Sequence, residues 1–209
     1  MPETVVVRSA GGGRELRTRC VPEVATLAEG LLAELEKHAE QWRDGYGLQP
    51  GWGPLVLREE GDGFVVTAPD YAGNPRSELT DDITLAIWMS VSLTAAPRAA
   101  RLEPRDIAWD DDVICAIGWE QADRLQLSRI ETTTPGDSGW FIDAFPSVKE
   151  GELEAHEMVR LPAWRILQLR RAAARAMALP PTVKVVVDGD RIQAIVRTSD
   201  GAVLNEAPL

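Results

Sequence analysis

A chain of 209 residues, 44% of them hydrophobic and 26% charged, can bury about 70% of the surface its unfolded form exposes, which excludes disorder and any need for covalent staples. Lys and Arg number 22 against 33 Asp and Glu, and the resulting formal charge of -11 serves solubility, repels phosphate backbones and draws basic protein surfaces, so direct nucleic-acid binding is disfavoured. No apolar run reaches the roughly 18 residues that span a bilayer, the N-terminus carries no secretory pattern, and Cys20 and Cys115 stand alone as buried thiols, so a cytoplasmic protein is expected.

Residues 4–7 and 15–20 flank Gly11-Gly12-Gly13, the pattern of two short strands around a flexible turn. After Pro22, the apolar positions Val24, Leu27, Leu31, Leu32, Leu35 and Trp42 repeat at helical spacing with acids between them, which predicts an amphipathic helix. Residues 45–54 are rich in Gly and Pro and hold Tyr46 and Trp52, a loop anchored by aromatic rings. Leu55-Val56-Leu57 and Phe64-Val65-Val66-Thr67 then read as a second hairpin. Thr80-Asp81-Asp82 supplies a cap for a helix through Leu85, Trp88, Met89 and Val91 that is expected to end before Pro97.

Beyond Pro104, residues 113–117, 125–130 and 140–142 are strand-like, and a helix is expected over residues 162–177 until Pro180 and Pro181 stop it. Asp188-Gly189-Asp190 between two Val- and Ile-rich runs is the clearest hairpin signal in the chain. Strands and helices arrive in clusters, so the expected class is α+β: antiparallel sheets built from hairpins, with about three amphipathic helices packed on them. Residues 97–105 offer the best boundary, dividing an N-terminal α+β region, 1–100, from a second α+β domain, 101–209, unless the two pack as one unit.

Few residues point to chemistry. Asp110, Asp111 and Asp112 crowd one corner before a strand; adjacent residues point in different directions, so this is no calcium loop but a solvated turn or a docking point for Lys or Arg on a partner. Glu150, Glu152 and Glu154 form a second acidic run with the same two readings. Trp42, Trp88 and Trp164 fall on the apolar stripes of helices. Trp52 and Trp140 are less constrained, and loop aromatics serve interfaces as well as cores. The glycines at 11–13 lack the Lys-Ser/Thr ending of a phosphate loop, and no metal or cofactor motif is present.

Gly136-Asp137-Ser138-Gly139-Trp140 looks like the run around a trypsin-like nucleophile, but a serine needs a base. His38 and His156, the two histidines, lie in polar or acidic runs, and Trp140 replaces a small glycine. The run Asp137, Ser138, Gly139, Trp140, with the strands before it and Leu179-Pro180-Pro181-Thr182-Val183 after it, resembles the Asp-Ser-Gly-Trp signature of the immunity protein 33 family of bacterial polymorphic toxin systems, over about residues 105–197. The resemblance implies a non-enzymatic immunity protein without cofactors that binds and neutralises a cognate toxin, with the four residues carried over as a signature only. The charge balance adds that this toxin is basic. A serine hydrolase using Ser138 and a non-catalytic scaffold are the alternatives. Within the run, Asp137 or Ser138 is expected to fix the turn and Trp140 to close the core beneath it.

Overall fold

Two hairpins and a crossover helix build the first of two compact units, residues 1–91 and 92–209; the computed structural model describes residues 4–11, 13–147, 149, 151 and 153–209. Strands β1 (Val5–Gly11) and β2 (Arg14–Cys20) pair antiparallel as expected, with Gly12 of their turn outside the described residues. Strands β4 (Leu55–Glu60) and β5 (Gly63–Pro69) form the second hairpin. Helix α1 (Ala25–Glu36) lies between the hairpins, and the return through it sets β2 parallel to β5. Two-residue strands β3 (Gly47–Leu48) and β6 (Leu79–Thr80) join β4 and β5, giving the order β1-β2-β5-β4-β3 with β6 beside β5. Leu16, Leu32, Leu35, Leu57, Phe64, Val66 and Ile83 form the core. Trp42 belongs to that core but not to the helix, which stops at Glu36. Its extended backbone brings the indole back, with Nε1 donating to the Leu35 carbonyl at 3.1 Å and the ring edge-on to Phe64.

Helix α2 (Thr84–Ala100) starts where the sequence places it, with the Asp82 carboxylate accepting from the Thr84 amide at 3.1 Å. It does not end before Pro97. The proline sits in the last turn, where the helix has little length left to lose. The end is closed by the Leu102 amide donating to the Pro97 carbonyl at 2.9 Å and the Arg101 amide donating to the Arg98 carbonyl at 3.1 Å. That closure needs a left-handed residue, and Arg101, at φ 55°, fills a place usually taken by glycine. Arg101→Gly is therefore expected to raise stability by about 0.5–1 kcal/mol, read as a higher urea midpoint; an unchanged midpoint would mean that the arginine recovers the strain elsewhere.

In the second unit, β7 (Asp112–Ala116), β8 (Arg124–Arg129), β9 (Asp137–Ala144), β10 (Met158–Pro162), β11 (Val183–Asp188) and β12 (Arg191–Arg197) form one sheet in the order β10-β7-β9-β8-β11-β12. The class is α+β, as the sequence implies. Each sheet includes a parallel strand pairing, here β7 with β9, so both are mixed rather than purely antiparallel. The three strands expected from the sequence are present, but β9 inserts between β7 and β8. Residues 158–162 form a strand the sequence reading did not pick out, with their Met, Val and Leu paired to β7. The Asp188-Gly189 hairpin forms, with a bulge at Val186/Val187.

The helix expected over 162–177 is two: α3 (Ala163–Leu169) and α4 (Arg171–Arg175). Arg170 breaks it, adopting φ -146° and ψ 84° while its guanidinium donates to the Ala122 carbonyl at 2.5 Å and the Asp123 carbonyl at 3.2 Å. Inward-facing Val113, Cys115, Leu125, Leu127, Trp140, Ile142, Val185 and Ile195 are at most 1% exposed, as are Ala163, Ile166, Ala173 and Met177 of the helical segment, and together they form this unit's core.

Candidate functional site

The run Asp137–Trp140 opens β9, and every one of its side chains has a bond or a steric reason to be there. Asp137 accepts from the Gly139 amide at 2.9 Å, the local turn these side chains favour. Ser138, 2% exposed, donates its hydroxyl to the Asp112 carbonyl at 2.6 Å and accepts from the Trp140 amide at 3.2 Å, tying β9 to the start of β7. Trp140, 1% exposed, donates Nε1 to the Met177 carbonyl at 2.8 Å. Gly139 has φ 71°, and a Cβ there would meet the Ile130 carbonyl oxygen at 2.2 Å. The sequence missed the residue that completes this brace. Arg129, from β8, donates to the carbonyls of Ser138 (2.9 Å), Met177 (3.3 Å), Leu179 (3.1 Å) and Asp106 (3.1 Å), its guanidinium carbon 5.7 Å from the Trp140 ring centroid. Burial pushes its pKa down, and the like charge of Arg105 adds to that.

Nothing in this arrangement activates Ser138. A nucleophile must face substrate and give its proton to a base, whereas this hydroxyl is buried and donates to a backbone carbonyl. His156 pairs with Glu154 at 3.4 Å. Both thiols are fully buried, and burial pushes Cys115 up to about 12, with Glu120 adding to the shift, so it stays protonated at neutral pH. Among the described residues no group of His, Cys, Asp and Glu converges as a metal site, and no helix is long and apolar enough to cross a membrane.

On the outward face of the sheet, above this brace, lies a groove of about 470 Å³ between β10, β7 and β9. Arg160, Ile114 and Phe141 are neighbours across the three strands. Met158 and the 69%-exposed Ile130 add apolar surface, and Asp137 stands at the margin. The outward side chains of a sheet ordinarily alternate towards polar residues; here they leave an apolar floor open. Sequence reasoning missed this surface, because its residues come from three strands brought together only by the sheet order.

The acidic corner is divided. Asp111 accepts from the Ala108 amide at 2.8 Å and Asp112 pairs with Arg160 at 3.0 Å, so both serve the fold, while Asp110 is exposed. Glu154 is exposed and forms a reciprocal cap with Glu157, whose pKa is lowered by the hydrogen bonds from Lys149 and the Glu154 amide. Glu150 and Glu152 lie outside the described residues. Trp52, 1% exposed, is a buried ring packed 6.3 Å from Tyr71 and does not present a contact surface.

No curated protein and no solved structure matches the chain. A family model does: the Imm33-like domain matches residues 95–198, a span that contains the braced run, the groove and the strands that build both. Residues 95–198 are thereby identified as an Imm33-like domain.

Proposed function

We propose that this protein is an immunity protein that binds a cognate, basic toxin and neutralises it by covering it, with the groove on the β10-β7-β9 face as the centre of contact. The observation that carries the reading is the open apolar floor of Ile114, Phe141 and Met158 on three adjacent strands, of which β9 is locked from behind by Ser138, Trp140 and Arg129. A rigid, preformed apolar surface is what an occluding inhibitor needs, because little ordering entropy is then lost on binding. A stable complex of this kind buries about 1,200–2,000 Å² in total, more than the groove alone, so its rim takes part. Asp137 lines the groove, Asp110 and Glu154 are exposed carboxylates on the same unit, and the charge of -11 draws a cationic partner from a distance. The buried, carbonyl-bound hydroxyl of Ser138 argues for contact rather than catalysis.

The test is co-expression with the product of the adjacent open reading frame, scoring growth and co-purification. The wild type is expected to restore growth and to co-purify, and Phe141→Asp, which places a charge on the groove floor, to lose both while keeping its fold by circular dichroism. A neighbouring product that poisons the cell and is not bound by the wild type would remove this reading.

A further inference from the structure

The two edges of the second sheet are treated differently by the chain. The β12 edge is closed by the chain's own C-terminal segment: the Leu204 amide donates to the Ile195 carbonyl at 2.8 Å, Ile192 and Leu209 exchange bonds at 2.9 and 3.0 Å, and the side chain of Asn205, 7% exposed, accepts from the Ile195 amide at 2.6 Å. The β10 edge is open. Its register with β7, together with bonds from the Ile117 amide to the Glu157 carbonyl and from the Ala163 amide to the Asp111 carbonyl, both 2.9 Å, makes Val159 and Leu161 the residues bonded to β7. Met158 and Arg160 therefore turn their backbone groups away from the sheet. The Met158 amide is taken by the Ala155 carbonyl. Among the described residues, the Met158 carbonyl and both backbone groups of Arg160 have no strand beside them.

An open edge is a template for another chain, and proteins ordinarily blunt it with charge. The single charge on β10, Arg160, is already paired with Asp112 at 3.0 Å. The same strand forms one wall of the apolar groove. We infer that β10 accepts an extended segment of a basic protein partner as an additional strand, whose backbone bonds to Arg160 and Met158 while its apolar side chains enter the groove. The inference rests on the proposed toxin-binding reading and names the mode of contact. Charge selects the occupant: Asp137 lines the groove, exposed Glu154 lies just ahead of β10, and a second copy of a chain carrying -11 would be repelled.

Proline separates backbone from side chain here. Arg160→Pro removes an outward-facing amide that the β7 ladder does not use, a substitution edge strands tolerate, whereas Arg160→Ala removes the same side chain and ion pair but keeps the amide. With the adjacent-frame product as partner, Arg160→Pro is expected to bind at least about tenfold more weakly than Arg160→Ala. Should the proline variant not fold, hydrogen exchange of the Arg160 amide in the wild type is read instead, and it is expected to slow in the complex. Equal affinities for the two variants, or an Arg160 amide that exchanges as fast bound as free, would overturn strand addition while leaving the toxin-binding reading intact. A wild type that does not bind removes both. A wild-type dimer that Arg160→Pro dissociates would overturn the inference by making the occupant a second copy.

Discussion

Gly139→Ala is expected to destabilise the 92–209 unit by about 3–5 kcal/mol, among the largest losses a single methyl group produces. Two independent penalties meet at this position. The backbone angle, φ 71°, is one that an L side chain adopts at a cost of about 1–2 kcal/mol. The added Cβ would also stand 2.2 Å from the Ile130 carbonyl oxygen, which receives it with backbone rather than a movable side chain. Relief would require β9 and the end of β8 to part, where the Ile130 amide donates to the Gly139 carbonyl at 3.0 Å. Gly136 is the control. It has nearly the same φ, 76°, but nothing within 4 Å of its Cβ, so Gly136→Ala should cost only about 1 kcal/mol. Urea unfolding followed by tryptophan fluorescence reads both variants. Equal losses would show that backbone angle alone, not the packing of the strands, fixes this glycine.

That pair of glycines marks the limit of what the sequence could disclose. Hairpins were legible wherever apolar alternation met turn residues, as at Asp188-Gly189 and around residues 61–62, because both signals are local. The parallel pairings of β2 with β5 and β7 with β9 were not, since each depends on a return path through distant chain. The break at Arg170 was hidden for a related reason: its apolar neighbours continue the helical period, and only the carbonyls of residues 122 and 123, about fifty positions away, draw the guanidinium out. The run Asp137–Trp140 could be picked out as a turn with a core tryptophan, which fits the observed bonds. What lies in front of it could not. Ile114, Phe141 and Met158 come from three strands whose adjacency is a property of the sheet order, and an apolar residue on a strand carries no mark of which face it will take until the register is known.

Arg129 is the residue whose loss should be felt next most strongly, and the expected order separates its shape from its charge. Its planar fork reaches four carbonyls that no carboxylate could satisfy, and three of them belong to Ser138, Met177 and Leu179, residues at most 2% exposed. Arg129→Met keeps much of the stem and removes every donor; it should cost about 3–5 kcal/mol, chiefly through buried acceptors left without partners. The Met177 carbonyl suffers least, since it keeps the Trp140 indole. Arg129→Lys keeps the charge but concentrates it at one point, which cannot reach carbonyls on opposite sides of the fork, and should still cost about 2–3 kcal/mol. Against these losses stands the desolvation of the guanidinium, visible in its lowered pKa, which means that the native arrangement already carries a penalty that methionine would relieve. The truncation is nevertheless expected to be unfavourable, because relief of one buried charge does not supply hydrogen bonds to four carbonyls. Urea midpoints order the variants, and Trp140 fluorescence reports the brace directly, since the guanidinium sits 5.7 Å from that ring. A lysine variant within about 0.5 kcal/mol of the wild type, the range of ordinary surface substitutions, would show that a point charge suffices there and that the fork is not what holds β9 in place.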